Sequence, residues 1–283
     1  MNNIGIIGYG FVGKAVKEGF STTSGVNYSI RIYDKNPHLQ THDLNDVVNK
    51  SNFVFISVPT PSREDGSIDL KIIWEVFESI AEVKNNENVI FLLRSTVTPG
   101  TTGDIIKKYP DLNIVFNPEF LTERSAAFDF MSQTRVILGG EKEVTKKVSK
   151  FYKGRFGESL SVIETDNQSA ELIKYMCNTF LALKVSYLNE MRQLALASGA
   201  DWDDVVNGFK SDGRIGPSHT NIPGPDGKLG FGGSCFPKDI RAIIDFAKTK
   251  DINLRTLEGA WDTNLEVRPE RDWEDLKGRA VSE

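Results

Sequence analysis

The first constraint on this chain is a glycine triplet set between a strand and a helix at its very start. Ile4-Gly5-Ile6-Ile7 is a short buried-strand pattern that runs into Gly8-Tyr9-Gly10-Phe11-Val12-Gly13, and Lys14–Phe20 reads as the opening of a helix. In a G-x-G-x-x-G turn the first glycine permits the tight bend and the second lets a pyrophosphate approach the helix N-terminus. The third allows helix and strand to pack closely. A second strand, Ser29–Tyr33, ends at Asp34, 21 residues after Gly13, where a carboxylate bonds the adenosine ribose hydroxyls and disfavours a 2′-phosphate. The alternative is a glycine turn followed by a surface aspartate. The triplet with both flanking elements and the acid instead predicts a Rossmann-type domain holding NAD rather than NADP, although Lys35 stands beside Asp34. Gly8, Gly10, Phe11, Val12, Gly13 and Asp34 are its first cofactor residues.

The strand–helix rhythm then continues. Phe53–Val58 is a strand ending in Pro59-Thr60-Pro61, which must leave the sheet. Asp69–Val83 has helical periodicity, and Val89–Leu93 is a strand that delivers Arg94-Ser95-Thr96-Val97. Ile114–Phe116 delivers Asn117-Pro118-Glu119-Phe120-Leu121-Thr122-Glu123, and Arg135–Gly140 is a further strand. Ligands of such doubly wound sheets sit beyond the carboxyl ends of the strands, so these polar loops converge on one crevice. Thr60 or Ser95 taken singly is ordinary turn chemistry. Glu119 and Glu123, four residues apart at that mouth, are harder to dismiss.

The second half is helical. Gln168–Ser198 contains neither glycine nor proline, follows a capping region at Glu164–Asn167 and stops at Gly199. A helix of about 31 residues is about 46 Å long, which suits an intersubunit interface or a strut between domains. Lys174 and Asn178 share one face of it in apolar company, as a polar pair needing partners or a ligand, or as a solvated stripe. Ala200–Lys210 is a shorter helix, and Arg214-Ile215-Gly216-Pro217 opens an irregular loop, either a shaped binding loop or a mobile lid. That loop leads to Gly230-Phe231-Gly232-Gly233-Ser234-Cys235-Phe236-Pro237-Lys238-Asp239. Glycines there let backbone approach a ligand, and a thiol flanked by a cation and a carboxylate can serve as a nucleophile. On its own the stretch also fits a turn with a small buried hydrophobe. Helical pattern resumes over Ile240–Leu265 with a break near Asn253, and the tail from Arg268 is charged and reads as peripheral.

Composition narrows the class. With 283 residues, two domains are expected: 1–165 for NAD, and 166–283 for dimerisation and the cysteine. A net charge of -5 without a basic run gives no reason to expect nucleic acid, and no apolar run reaches the roughly 20 residues that span a bilayer. Two cysteines, Cys177 and Cys235, exclude a disulfide framework, and an early strand leaves no room for a signal peptide, so a cytoplasmic setting is expected. Cys177 reads as core packing. No metal site is expected.

Together these stretches resemble the UDP-glucose/GDP-mannose dehydrogenase family over nearly the whole chain. The matching stretches are Gly8–Gly13, Val58-Pro59-Thr60-Pro61, Ser95-Thr96-Val97, Asn117–Leu121, Glu171-x-x-Lys174-Tyr175-x-x-Asn178, Arg214-Ile215-Gly216 and Phe231–Asp239. The resemblance implies an α/β protein, a Rossmann-type sheet followed by an all-α domain with a long central helix. It further implies NAD-dependent, four-electron oxidation of a nucleotide-sugar C6 alcohol to a carboxylate, typically of UDP-glucose. By the same resemblance Cys235 is the nucleophile, Lys174 and Asn178 stabilise oxyanion charge, Asp239 and Lys174 assist proton transfers and orient the water, and Glu119 and Thr96 help position or deprotonate it. Pro59, Thr60, Ser95, Thr96 and Glu123 join the cofactor residues. Phe120, Leu121, Phe231, Gly232 and Gly233 contact substrate, and Arg214 reaches a neighbouring subunit's site in a homodimer built on the 168–198 helix. The family normally carries a further C-terminal nucleotide-binding domain, and this chain stops about where it would begin. Two other readings stay open: a two-electron 6-phosphogluconate or 3-hydroxyacid type of dehydrogenase, and a non-catalytic NAD-binding dimerisation module.

Overall fold

A computed structural model describes residues 2–21 and 27–282. It divides into two compact units: Met1–Thr60 with Leu70–Lys174, and Pro61–Asp69 with Tyr175–Glu283.

The first unit is built on a seven-stranded sheet of order β2-β1-β3-β4-β5-β6-β7. Its strands are β1 (Asn2–Ile7), β2 (Tyr28–Tyr33), β3 (Phe53–Ile56), β4 (Ile90–Leu93), β5 (Asn113–Phe116), β6 (Arg135–Gly139) and β7 (Ser161–Thr165). β1 to β5 pair in parallel, with Ile4 opposite Phe53 and Phe53 opposite Ile90. β6 meets β5 antiparallel at Gly139 and Phe116, and β7 runs parallel to β6. The chain leaves β1 to one side for β2 and returns to the other side for β3, which opens a crevice beyond their carboxyl ends.

β3 and β4 are buried along their whole length, as expected for strands covered on both faces. Alternate side chains serve alternate layers. Ile4, Ile6, Phe55, Leu92 and Val115 pack beneath α1 (Phe11–Ser21), α5 (Ala126–Met131) and α6 (Lys142–Phe156). Ile7, Val54, Ile56, Phe91 and Ile114 pack beneath α2 (Leu44–Asn49), α3 (Lys71–Val83) and α4 (Thr101–Lys108). Phe20 anchors the first layer, its ring 5.0 Å from that of Phe151 and 5.1 Å from that of Tyr28.

The second unit is helical. The long helix α7 (Asn167–Ala197) begins in the first unit, where Asp166 caps it by accepting from Ser169 N and Oγ, and continues through the second. There Ala182, Val185 and Leu188 pack with α8 (Trp202–Lys210), α9 (Phe236–Lys248) and α10 (Arg255–Val267). Three features depart from the sequence reading. β7 is a strand at the sheet edge, with Ile163 43 % exposed, so it carries no buried-strand signature. The helical stretch after the cysteine begins earlier than read, at Phe236 with Pro237 in its opening turn, while its break falls near Asn253 as expected, between Lys248 and Arg255. The tail is not peripheral: Trp273 is buried against Trp261, and Ser62 pairs through its backbone with Ala280 and Ser282.

Replacing Phe20 by Ala should lower stability by about 3–5 kcal/mol, read by urea unfolding. A loss under about 1 kcal/mol would contradict this packing.

Candidate functional site

The glycine turn after β1 separates the three glycines by what surrounds them. Gly8 sits at φ +87°, and a Cβ there would lie 2.5 Å from the Ser57 carbonyl oxygen. A Cβ on Gly13 would run into the Gly8 carbonyl oxygen, so this glycine permits close packing. A Cβ on Gly10 would meet nothing within 4 Å, leaving open space at the entry to α1. The first-turn amides of α1, including Phe11, Val12 and Gly13, have no carbonyl of their own helix to bond. No acidic side chain stands in that turn, so the helix end favours an anion. Asp34 lies at the end of β2; one oxygen accepts from Tyr9 N at 2.6 Å and the other from Asn36 N at 2.8 Å. Turn, helix end and carboxylate fit NAD.

The neighbouring strand-end loops are tied to one another. Ser95 Oγ donates to the Val58 carbonyl at 2.7 Å, and Thr60 Oγ1 to the Thr96 carbonyl at 2.8 Å. Thr60, Ser95 and Thr96 are buried, whereas Pro59 and Glu123 are exposed. Beneath them Arg94 donates to Asn117 Oδ1 at 2.8 Å, as does the Tyr152 hydroxyl at 2.6 Å. Burial pushes the Tyr152 phenol up to about 12 against the opposing charge of Arg94, so it acts here as a neutral donor.

Two buried charges on the first turns of α7 engage these loops. Lys174 Nζ lies 2.9 Å from Glu119 Oε1 and also donates to the Glu119 carbonyl, with side-chain exposures of only 3 % and 7 %. The second Glu119 oxygen accepts from Leu121 N at 2.7 Å, and Nζ stands 5.3 Å from the Phe120 ring centre. One turn earlier Glu171 accepts from Gly100 N (2.6 Å), Thr102 N (2.8 Å) and Thr102 Oγ1 (2.6 Å), capping α4. Burial raises the pKa of Glu171, and these three donors oppose that rise. A cavity of about 140 Å³ adjoins Glu119, Phe120 and Leu121 and is walled by Arg94, Gln133 and Arg135.

In the second unit Cys235 is the N-cap residue of α9, partly buried, its sulfur 3.8 Å from Ser234 Oγ. In the first turn of α9, Asp239 is 1 % exposed, accepting from Lys238 Nζ and from Asn178 Nδ2, both at 2.6 Å. Asn178 therefore belongs to a buried pair, not a solvated stripe. Phe231 is buried, and Gly233 has φ +73°. Arg214 is exposed and bonded to Asp212, on a loop whose carbonyls at Ile215, Gly216 and Ser218 accept from Lys184. Burial pushes the Lys184 ammonium below its ordinary range.

The structure thus pairs Lys174 with Glu119 and Asn178 with Asp239. Sequence reasoning gave no role to Glu171, Arg94, Asn189, Asn264 or Arg268, all buried and polar. The spacing of Glu171 three residues before Lys174 was the one available signal; the others engage partners far along the chain. Among the described residues, no cluster of His, Cys, Asp or Glu could hold a metal ion, and no helix is long and apolar enough to cross a membrane.

A glycine turn on a doubly wound sheet, with a buried polar helix face, defines a dinucleotide-binding protein of dehydrogenase type. Residues 33–154 match the NAD binding domain, and residues 168–266 the central domain, of the UDP-glucose/GDP-mannose dehydrogenase family, and the chain belongs to that family. It is 34 % identical over 255 residues to the UDP-glucose 6-dehydrogenase of Rickettsia felis, covering 86 % of this chain and 55 % of that protein. With the UDP-glucose 6-dehydrogenase of Bacillus subtilis it shares 33 % over 235 residues, 81 % of this chain and 49 % of the relative. The chain spans about half the length of the curated relatives it matches. A UDP-glucose dehydrogenase from Pyrobaculum islandicum superposes with a TM-score of 0.80 at 26 % identity, over 94 % of this chain and 68 % of that one. A 3-hydroxyisobutyrate dehydrogenase from Mycobacterium tuberculosis, at 16 % identity and a TM-score of 0.77 over 96 % of this chain and 95 % of its own, shares the fold.

Gly8→Ala should destabilise the protein by about 1–3 kcal/mol. Gly10→Ala should leave stability within about 0.5 kcal/mol yet weaken NAD binding at least about tenfold. Thermal unfolding and a tryptophan-fluorescence titration read the two effects; the reverse pattern would misassign the glycines.

Proposed function

We propose that this chain carries the NAD-binding and catalytic parts of a nucleotide-sugar dehydrogenase, oxidising the C6 alcohol of UDP-glucose or a similar UDP- or GDP-sugar to the uronate. The observation that carries this reading is the placement of Cys235 at the N-terminal end of α9, with Asp239 buried one turn on and held by Lys238 and Asn178. Negative charge developing on the sulfur is favoured at that helix end. An inert core cysteine would not require a buried carboxylate with two polar partners beside it.

Bound NAD supplies the hydride acceptor for both oxidations. The chain's own residues do the rest. The C6 alcohol first gives up its hydroxyl proton and a hydride to become an aldehyde. Cys235 thiolate adds to that carbonyl, and the resulting thiohemiacetal loses a second hydride and a proton to become a thioester. Water then adds to the thioester carbonyl, releasing the carboxylate and restoring the thiol. Lys174 and Asn178 stabilise the oxyanion at each stage. Asp239, Glu119 and Thr96 carry protons and orient the water. Phe120, Leu121, Phe231, Gly232 and Gly233 contact the substrate, and Pro59, Thr60, Ser95 and Glu123 the cofactor.

The second part of the reading is a homodimer on α7. Leu172, Met176, Phe180, Tyr187 and Leu194 are exposed by 42 %, 62 %, 63 %, 47 % and 60 % and recur every four or seven residues, forming one apolar stripe. A second copy of the helix is the occupant that suits it, and Arg214, exposed on its loop, would reach the partner's substrate. The reactants and the two thiols agree with a cytoplasmic setting.

Cys235→Ala should cut uronate formation at least about 10³-fold while NAD affinity stays within about twofold. Continued acid production would remove the covalent route. Phe180→Asp should convert a dimer to a monomer by light scattering; an unchanged mass would place the interface elsewhere.

A further inference from the structure

The side chain of Arg268, just past α10, is only 2 % exposed and gathers three stretches of chain. Its Nη2 lies 2.7 Å from Asp226 Oδ2 and 3.0 Å from Asp272 Oδ2, its Nε 2.6 Å from Asp272 Oδ1, and Nη1 donates to the Leu229 carbonyl at 3.1 Å. Gly232 presses directly on this guanidinium: a Cβ there would fall 2.5 Å from Nη2 and 2.7 Å from Cζ. The preceding residues are clamped as firmly. Gly230 N donates to Asn189 Oδ1 at 3.3 Å, Phe231 N donates to Asn264 Oδ1 at 2.7 Å, and Asn264 Nδ2 returns a bond to the Phe231 carbonyl at 3.0 Å. Gly230 and Gly233 adopt φ +66° and +73°, so the turn they make admits little variation. Three residues after Gly232 the chain reaches Cys235.

The geometry points to Arg268 as a positioning residue for Cys235: with Asp226 and Asp272 it fixes the Leu229–Ser234 turn that delivers the sulfur to the N-terminal end of α9. A buried arginine with two carboxylates adds little net stability compared with apolar packing, so a purely structural staple is a poor use of it. A planar fork that must satisfy two acids and a carbonyl at once is, by contrast, well suited to setting orientation. The inference rests on the reading of Cys235 as nucleophile.

The test is the pH profile of Cys235 alkylation by iodoacetamide in the full chain, with Cys177→Ser as background. Normalising to the high-pH limit removes differences in access. Other charged or titratable groups near this end of α9 are Lys238, Asp239 and His219, whose ring lies 5.3 Å from that of Phe236; all are left in place. Arg268→Met should raise the profile's midpoint by about one pH unit, a roughly tenfold slower reaction at neutral pH. Arg268→Lys, which keeps the charge but not the fork, should recover less than half of that shift, and Arg271→Met should change nothing. If Arg268→Met does not fold, Asp226→Asn decides, with a shift of the same sign and about threefold in rate. An unchanged midpoint in the folded variant, or full recovery with lysine, overturns the positioning role alone. A parent midpoint at the ordinary thiol value of about 8.5 overturns the nucleophile reading and this inference with it.

Discussion

A lysine and a glutamate share a space from which water is almost excluded, and the rest of the first unit is arranged to make that tolerable. Removing both ions from water costs several kcal/mol each before any attraction is counted. The Lys174–Glu119 pair persists because the ammonium also reaches the Glu119 carbonyl and the carboxylate also accepts from the Leu121 amide. Glu171, Lys174 and Asn178 stand at i, i+3 and i+7, so one face of α7 forms a polar seam through apolar surroundings. Each member needs a partner: in the first unit Glu171 finds the start of α4 and Lys174 the loop after β5, and in the second unit Asn178 finds the first turn of α9. Stability alone does not call for such a seam. Under the proposed function its use is to meet charged or oxyanionic species.

The turn before Cys235 shows the same economy in the second unit. Its glycines are required by backbone angle at Gly230 and Gly233 and by the neighbouring guanidinium at Gly232. The C-terminal residues, Trp273 and the 277–282 segment among them, close over this unit and meet the excursion at residues 61–69. Asp272, held below the ordinary carboxylate range chiefly by its hydrogen bond from Arg268, contributes stability that is fully present above that range. The contribution fades as the pH falls through the depressed value.

Much of this was legible in the residues because it is local. The turn at Gly8–Gly13 declares itself by spacing, the central strands by continuous apolar runs, and α7 by the absence of glycine and proline across 31 residues. Lys174 and Asn178 were legible as a pair on one face, but not as members of two separate pairs, since Glu119 and Asp239 lie 55 and 61 residues away in sequence. β7 escaped because an edge strand with exposed Ile163 has no buried periodicity to read. Arg268 escaped for the opposite reason: in a charged tail its burial depends on Asp226, 42 residues away. Local propensity cannot report a charge whose partner is supplied by the fold.

The proposed function requires one covalent site to carry a sugar alcohol through two oxidations. The most direct measurement supplies the protein with UDP-glucose and excess NAD and quantifies NADH and uronate together. Two NADH for each uronate formed is the predicted result; one NADH per sugar consumed, with a carbonyl product and no uronate, would contradict it.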